Sequence, residues 1–282
     1  MCRLLGYATA NVNVSLAEAL GMRDCAAYRE LATIHNDGWG TALLTAPAQA
    51  AHATDGGAPS PETGFSLYRN TIAAHHDPMF PELANVPARS GIWHLRLASS
   101  NLPLVLENQQ PFHASGLSFA HNGDISDASG RNITTNRAWP IDQNLVQSTG
   151  GRSDSAMYFA TVLQYLGYGF ALDEALAQAV HELRAAYPDS SYNCLIQGEG
   201  TFIALRAHGD GPTSQGVIDV YDRYGRADEA ADYSVLRYRE LDGPRGLVVA
   251  SSGFAQDGWQ ELPNNHMIVA SNRTGEYRIR AI

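Results

Sequence analysis

Cys2 follows the initiator methionine directly, and this position decides what chemistry the residue could perform. Methionine aminopeptidase removes Met1 when the next side chain is small, so the mature chain is expected to begin at Cys2. A thiol and a free α-amine would then share one carbon, with ordinary pKa values of about 8.5 and about 7.7–8.0. A terminal amine can accept the proton that its own side chain loses, so one residue would supply both nucleophile and base. A lone cysteine is more often an inert apolar residue, so other features must support the catalytic interpretation.

Three further places in the sequence carry residue types that catalytic sites use. Arg96 alternates with apolar residues in a predicted strand, and the dipeptide Asn122-Gly123 follows another apolar run. Asp154 falls in the first turn of a predicted helix. Each has an ordinary structural explanation, namely an ion-paired strand arginine, a turn, and an acidic residue favoured by the helix dipole. By themselves these residues leave both interpretations open.

The composition restricts the classes of function. The chain has 282 residues and a formal net charge of −10, which disfavours binding to nucleic acid or to an anionic membrane. All 19 basic residues are arginine, so a pyridoxal Schiff base, a P-loop lysine and a Ser-Lys dyad are excluded. Recognition of an anionic substrate would fall to arginine, which binds carboxylates through two parallel hydrogen bonds.

The three cysteines, at 2, 25 and 194, are too few and too scattered for a disulfide framework. We expect Cys25 and Cys194 to be buried thiols in a cytoplasmic protein, without a signal peptide or a membrane span of about 20 apolar residues. The tract His75-His76-Asp77 lacks the spacing of a closed metal site, so neither a metal nor a cofactor is expected.

The elements that must position these residues are predicted from hydrophobic periodicity and from turn residues. Helices are expected at 15–32, from 153 onward and at 172–186. Residues 46–64 are predicted to be a flexible insertion at the tip of a hairpin, and residues 125–152 a long loop. Strands are predicted at 3–10, 41–45, 65–70, 91–97, 117–121, 192–197, 201–207, 216–221, 246–251, 266–270 and 275–281. This order of strands, paired helices and further strands favours one α+β domain with antiparallel sheets.

Six short motifs now occur in a fixed order: Met-Cys-Arg-Leu-Leu-Gly at 1–6, His-Asn-Asp-Gly-Trp-Gly at 35–40, Trp-His-Leu-Arg at 93–96, residues 108–112, Ala-His-Asn-Gly at 120–123 and Arg-Ser-Asp-Ser at 152–155. Together they resemble the class II glutamine amidotransferases, whose domains are N-terminal-nucleophile hydrolases, and in particular the stand-alone glutaminase type. The resemblance implies a four-layer αββα sandwich, with two stacked antiparallel sheets between helices. It also implies a single domain spanning residues 2–282.

The resemblance also implies roles for the polar residues. Cys2 would be the nucleophile with its own amine as base, and Asn122 and Gly123 would form the oxyanion hole. Arg96 would bind the α-carboxylate of the substrate and Asp154 its α-ammonium group. Ser99 keeps a hydrogen-bonding hydroxyl beside Arg96. The implied reaction is hydrolysis of a γ-glutamyl amide through a γ-glutamyl thioester, turning glutamine into glutamate and ammonia, or transfer of the amide nitrogen.

The chain departs from relatives at two places. Gln110 stands where many relatives have histidine, and Ser99-Ser100 stands where many have Thr-His. These departures affect the pocket beside the reacting groups and leave the substrate open. One alternative is a larger γ-glutamyl amide, as in ergothioneine biosynthesis, because residues 250–252 and 259–263 resemble a segment of that branch. Another is a glutamine-sensing module, or a glutaminase subunit gated by a synthase or acceptor partner.

Overall fold

The computed structural model describes residues 2–45, 64–98, 103–209 and 211–282. The helices in these ranges are α1 (Leu16–Leu20), α2 (Met22–Glu30), α3 (Met79–Ala84), α4 (Gln143–Ser148), α5 (Asp154–Gly167), α6 (Leu172–Ala186) and α7 (Gln215–Arg223). The strands are β1 (Cys2–Thr9), β2 (Trp39–Leu44), β3 (Phe65–Asn70), β4 (Ser90–Arg96), β5 (Phe112–Ala114), β6 (Leu117–Asn122), β7 (Asn193–Gly198), β8 (Thr201–Arg206), β9 (Leu236–Glu240), β10 (Gly246–Ser251), β11 (Gln260–Glu261), β12 (His266–Ala270) and β13 (Tyr277–Ala281). Short 3₁₀ turns occupy Leu31–Thr33, Leu106–Asn108, Ile133–Thr135 and Ala227–Asp232.

The strands form two antiparallel sheets. The first has the order β11-β9-β10-β1-β4-β2-β3, and the second has the order β13-β12-β8-β7-β6-β5. β1 is the central strand of the first sheet, and all eight of its residues are buried. A strand buried on both faces reads as a nearly continuous apolar run, which is what the sequence after Cys2 shows. Cys2, the first residue of β1, is therefore held in the core of the protein.

Three apolar clusters define the layers. The cluster between the two sheets contains Leu4 and Ile92 from the first sheet and Ala120 and Leu195 from the second. On the outer side of the first sheet α1, α2 and α3 pack, and on the outer side of the second sheet α5 and α6 pack. The four-layer αββα sandwich of an α+β protein is thus confirmed.

Several predicted elements are confirmed closely. The helix at 172–186 has the predicted bounds, and Ser153 caps α5 by accepting a hydrogen bond from the N–H of Ala156. The hairpin of β2 and β3 is present. Residues 46–63 of the predicted insertion, together with Ser99 and Ser100, lie outside the residues that the structure describes.

Two predicted segments divide differently. The helix expected over 15–32 is broken at Gly21, whose φ of +90° cannot continue a helix, and it ends in a 3₁₀ turn. The loop expected over 125–152 contains α4, which Asp142 caps by accepting from the N–H of Asn144. Both differences arise from local capping, which apolar periodicity does not report.

The strand predicted at 216–221 is wrong, because these residues belong to α7. Val217, Ile218 and Val220 are β-branched, and β-branched residues are enriched in strands. The buried residues of α7 are Val217, Val220 and Tyr221, which is the i, i+3, i+4 spacing of one helix face. Tertiary packing against Ile34 therefore overrides the propensity of the β-branched side chains.

None of the described helices is both long and apolar enough to span a membrane.

Candidate active site

Cys2 is the first residue of β1 and is 6% exposed. In the antiparallel ladder its partner is Arg96, the last residue of β4. Successive side chains of a strand point to opposite faces, so Cys2 shares its face with Leu4, which packs between the sheets. The side chain of Cys2 therefore faces the second sheet.

The backbone nitrogen of Cys2 makes two hydrogen bonds, one to Asn122 in the second sheet and one to Tyr233 in the segment before β9. It donates to Asn122 Oδ1 at 2.9 Å and to the hydroxyl of Tyr233 at 3.0 Å. The thiol lies 3.8 Å from the carbonyl oxygen of Leu97, the residue that follows β4. Nucleophile, nitrogen and Asn122 are thus brought together in one buried place.

The surroundings of Cys2 favour the thiolate. Burial raises the pKa of the Cys2 thiol, but the positive charge of the chain's N-terminus, His94 and the contact with Leu97 outweigh it and hold this pKa at about 5. Neither ring nitrogen of His94 has a hydrogen-bond partner among the described residues. The thiol is therefore a nucleophile at neutral pH.

The other two cysteines are buried and free, as the sequence predicted. Burial raises the pKa of Cys25 to about 11 and that of Cys194 to about 12. Both stay protonated at neutral pH, and Cys2 differs from them by electrostatics rather than by exposure.

Asn122 ends β6 instead of forming a free turn. Its Oδ1 is occupied by the nitrogen of Cys2, whereas its Nδ2 is buried with no hydrogen-bond partner among the described residues. At Gly123 a Cβ atom would lie 2.1 Å from the carbonyl oxygen of Ser191 and 2.4 Å from Nε2 of His121, so no larger residue fits. A buried donor beside a glycine backbone can hold a developing negative charge on oxygen.

Arg96 is 4% exposed, and its Nη1 has no hydrogen-bond partner within the described ranges. Its backbone is held by the Asp-Gly turn of the motif at 35–40. The N–H of Asp37 donates to the carbonyl of Arg96 at 3.0 Å, and the N–H of Arg96 donates to the carbonyl of Gly38 at 2.9 Å. Asp37 Oδ2 also accepts from the N–H of Ala98 at 2.8 Å. This motif therefore positions the buried guanidinium.

Asp154 is the first residue of α5 and is 2% exposed. Its carboxylate accepts from the N–H of Ser155 at 2.9 Å, from the N–H of Ile125 at 2.9 Å and from Asn132 Nδ2 at 3.2 Å. It forms none of the ion pairs found in the described part of the chain. The bond to Ile125 fixes this charged group beside the segment that directly follows Asn122 and Gly123.

Gln110 also supports this segment. Its Oε1 accepts from the N–H of His121 at 2.6 Å, one residue before Asn122. The ring of His121 bridges Ser155 Oγ at 2.9 Å and the carbonyl of Ser191 at 2.8 Å, which links β6 to α5. Burial lowers the pKa of His121, so the ring stays neutral while its two hydrogen bonds hold β6 against α5.

Sequence reasoning missed Tyr233 and gave His94 no role. Tyr233 belongs to no motif and lies 111 residues from Asn122, its partner in a hydrogen bond of 2.5 Å. Ser99 lies outside the described residues, so its place at the site stays a prediction. Within the described ranges no three His, Cys, Asp or Glu side chains are grouped so that they could hold a metal ion.

Comparisons with solved structures support the fold. A class-II glutamine aminotransferase domain protein from Silicibacter pomeroyi has a TM-score of 0.60 at 19% identity, covering 99% of both chains. A predicted glutamine amidotransferase from Pseudomonas aeruginosa has a TM-score of 0.53 at 16% identity, covering 100% of both chains. Glutamine phosphoribosylpyrophosphate amidotransferase from B. subtilis has a TM-score of 0.58 at 15% identity, covering 99% of this chain and 49% of its own.

At these identities the likeness shows the fold alone, which is that of the N-terminal-nucleophile hydrolases. No curated protein matches the sequence. The family model for class-II glutamine amidotransferases matches residues 1–280. This protein therefore belongs to the class-II glutamine amidotransferases, enzymes that act on the amide of glutamine through an N-terminal cysteine.

Proposed function

We propose that the mature protein, starting at Cys2, hydrolyses a γ-glutamyl amide, with glutamine as the first candidate substrate. One observation carries the proposal. The low-pKa thiol of Cys2 lies on the same sheet face as Arg96, and the nitrogen of Cys2 bonds Asn122 of the second sheet. Each of these two buried side chains keeps one polar nitrogen without a partner among the described residues. Buried donors without partners are costly, so their presence favours a ligand that completes them.

The surroundings of the Cys2 nitrogen support removal of Met1. An amide nitrogen carries one hydrogen, yet this nitrogen faces two acceptors, Asn122 Oδ1 at 2.9 Å and Tyr233 Oη at 3.0 Å. A free amine has two hydrogens, and its protonated form has three. The two acceptors therefore suit a free α-amine, and they leave its remaining position for exchange of a proton with the thiol.

The proposed reaction has two acyl transfers. The thiolate of Cys2 attacks the γ-carbonyl carbon, and the resulting oxyanion is stabilised by Asn122 Nδ2 and the N–H of Gly123. A donor of this kind contributes about 3–4 kcal/mol to the transition state. The α-amine, which took the thiol proton, gives it to the leaving nitrogen as the C–N bond breaks. Water then hydrolyses the γ-glutamyl thioester, releasing the acid and restoring the thiol.

Arg96 and Asp154 would recognise the amino-acid end of the substrate. The guanidinium of Arg96 would bind the α-carboxylate, and the buried carboxylate of Asp154 would bind the α-ammonium group. Two opposite charges fixed in this way favour a zwitterionic amino acid and leave its side-chain amide at Cys2. We propose that Ser99 adds a hydroxyl contact on the side of Arg96.

A larger γ-glutamyl amide remains the second candidate substrate. The segment that resembles the ergothioneine branch lies against the catalytic strand, where Ser251 Oγ accepts from the N–H of Leu4 at 3.0 Å. Ser252 donates to the carbonyl of Asp232 at 2.6 Å, one residue before Tyr233. The alternative is favoured because this segment contacts the residue next to Tyr233, which hydrogen-bonds the nitrogen of Cys2. The released amine or ammonia would leave into solvent or pass to a synthase partner.

The test combines intact-mass analysis with turnover. Purified protein should begin at Cys2 and form one adduct with a glutamine-mimicking diazoketone. Cys2→Ala should form none and should release no glutamate, whereas Cys25→Ala should be labelled like the unchanged protein. Comparing glutamine with γ-glutamyl amides of larger amines separates the two substrates. Retained Met1, or labelling at Cys25 or Cys194, would contradict the proposal, and release only after a partner is added would favour a gated subunit.

A further inference from the structure

We propose that Tyr233 is a positioning residue of this catalytic centre, whose hydroxyl orients both the α-amine of Cys2 and the side-chain amide of Asn122. The proposal rests on the hydrolytic mechanism above, because the amine and the amide are the groups which that mechanism uses.

Three polar groups form a closed triangle. The hydroxyl of Tyr233 donates to Asn122 Oδ1 at 2.5 Å, and the nitrogen of Cys2 lies 3.0 Å from the hydroxyl and 2.9 Å from the same Oδ1. A phenol has one proton, so a hydroxyl that donates to Asn122 must accept from Cys2. Burial raises the pKa of Tyr233, which keeps this proton on the oxygen throughout the neutral range.

The triangle fixes the orientation of Asn122. Its Oδ1 accepts from two donors, so turning the amide over would place its NH₂ group against the N–H of Cys2. The orientation seen leaves Nδ2 as the atom without a partner among the described residues. Tyr233 therefore contributes to the oxyanion hole without touching the oxyanion itself.

The segment after β8 holds Tyr233 rigidly. Tyr233 follows the 3₁₀ turn at Ala227–Asp232 and packs with α7 through Val217 and Tyr221. Its ring lies 4.6 Å from the guanidinium carbon of Arg3, and its carbonyl accepts from Arg3 Nη1 at 3.0 Å. Ring, backbone and hydroxyl are all anchored, and a group placed in this way costs no reordering when the reaction starts.

The triangle also determines where the transferable proton of the α-amine points. When the amine has taken the thiol proton, it has three N–H bonds. Asn122 Oδ1 and Tyr233 Oη accept two of them, so the third is directed toward the thiol and the leaving nitrogen. Tyr233 keeps its own proton through the whole reaction, so it orients the transfer without taking part in it.

The test is Tyr233→Phe in the processed enzyme, with glutamine as substrate. We expect kcat to fall about tenfold to hundredfold, the scale of a small misplacement of reacting groups, while KM changes little. Loss of the acceptor removes a hydrogen bond that favours the ammonium form, so the pKa of the α-amine falls. The alkaline limb of the kcat–pH profile, where the ammonium that protonates the leaving nitrogen is lost, should therefore move to lower pH.

The matched control is Tyr7→Phe. Tyr7 is fully buried in β1, and its hydroxyl donates to the carbonyl of Val14 at 2.9 Å, so the variant loses a buried tyrosine hydroxyl that does not hold Tyr233. It should keep the kcat and the alkaline limb of the unchanged enzyme, with both variants melting as one cooperative unit.

An unchanged kcat and alkaline limb in Tyr233→Phe would overturn the inference, and so would equal losses in the two variants with an unmoved limb. In either case an inactive Cys2→Ala would leave the proposed hydrolysis intact. Activity in Cys2→Ala would instead refute the hydrolytic mechanism itself.

Discussion

Cys2 and Arg96 face each other as direct partners in the ladder between β1 and β4. Paired residues in an antiparallel ladder have Cβ atoms about 4.5–5.5 Å apart on one face of the sheet. The nucleophile and the residue proposed to bind the substrate's carboxylate are thus separated by one strand spacing, although 94 positions separate them in the chain. The register of two central strands, rather than a flexible loop, sets the distance between reaction and recognition.

The first prediction concerns selective alkylation of Cys2. Because its pKa lies at about 5, the thiolate dominates at neutral pH, and its fraction falls as the pH drops through 5. The rate of iodoacetamide modification at Cys2 should be nearly constant from about pH 6 to 8 and should fall about tenfold per pH unit below pH 5. Peptide mass spectrometry measures the rate for each cysteine.

Cys25 and Cys194 are the internal controls, since their pKa values of about 11 and about 12 keep them protonated at pH 7. They should remain unmodified in the folded protein. A rate at Cys2 that keeps rising through pH 8, as for an ordinary thiol, would show that the surroundings do not stabilise its thiolate.

The second prediction concerns Arg96→Lys. Lysine keeps the charge but loses the planar two-donor fork, so KM for glutamine should rise roughly 10- to 100-fold, since a hydrogen bond to a charged group contributes about 1.5–3 kcal/mol. Steady-state glutamate release measures it, with kcat changing less than KM. Arg245→Lys is the control, because Arg245 is exposed and paired with Glu276. A KM within twofold of that of the unchanged enzyme would show that Arg96 does not bind the substrate.

The third prediction concerns Gly123→Ala. The new Cβ would lie 2.1 Å from a backbone carbonyl oxygen, so the backbone must move and displace the proposed oxyanion donor. We expect the free energy of unfolding to fall by about 1–3 kcal/mol and kcat to fall by about a hundredfold. Urea unfolding and glutamate release measure the two effects.

Gly216→Ala is the matched control, because a Cβ at that helical position has no heavy atom within 4 Å. It should preserve stability and activity. If Gly123→Ala kept both as well, the close packing around Gly123 would have no functional consequence.

The order of six motifs was enough to predict the family, the αββα fold and the residues Cys2, Arg96, Asn122, Gly123 and Asp154. These residues lie within or beside segments with strong local signals: apolar strand runs, an Asn-Gly step and a capped helix start. The bounds of the helix at 172–186 followed from periodicity alone. The domain prediction of 2–282, the insertion at 46–64 and the roles of the site residues stay predictions; these residues are Cys2, Arg96, Ser99, Asn122, Gly123 and Asp154.

The sequence by itself determined which residue types can react and which elements carry them, because covalent chemistry and local periodicity depend on near neighbours in the chain. The tertiary structure decided which residues of the site contact one another. Contacts between residues about 90 to 230 positions apart pair Cys2 with Arg96 and orient the amide of Asn122. Such contacts also place Tyr233 beside the nitrogen of Cys2. It also decided that α7 is a helix, because burial of one face against the core outweighed the strand propensity of its β-branched residues. Long-range packing leaves no periodic trace in the sequence, so only the folded chain reveals it.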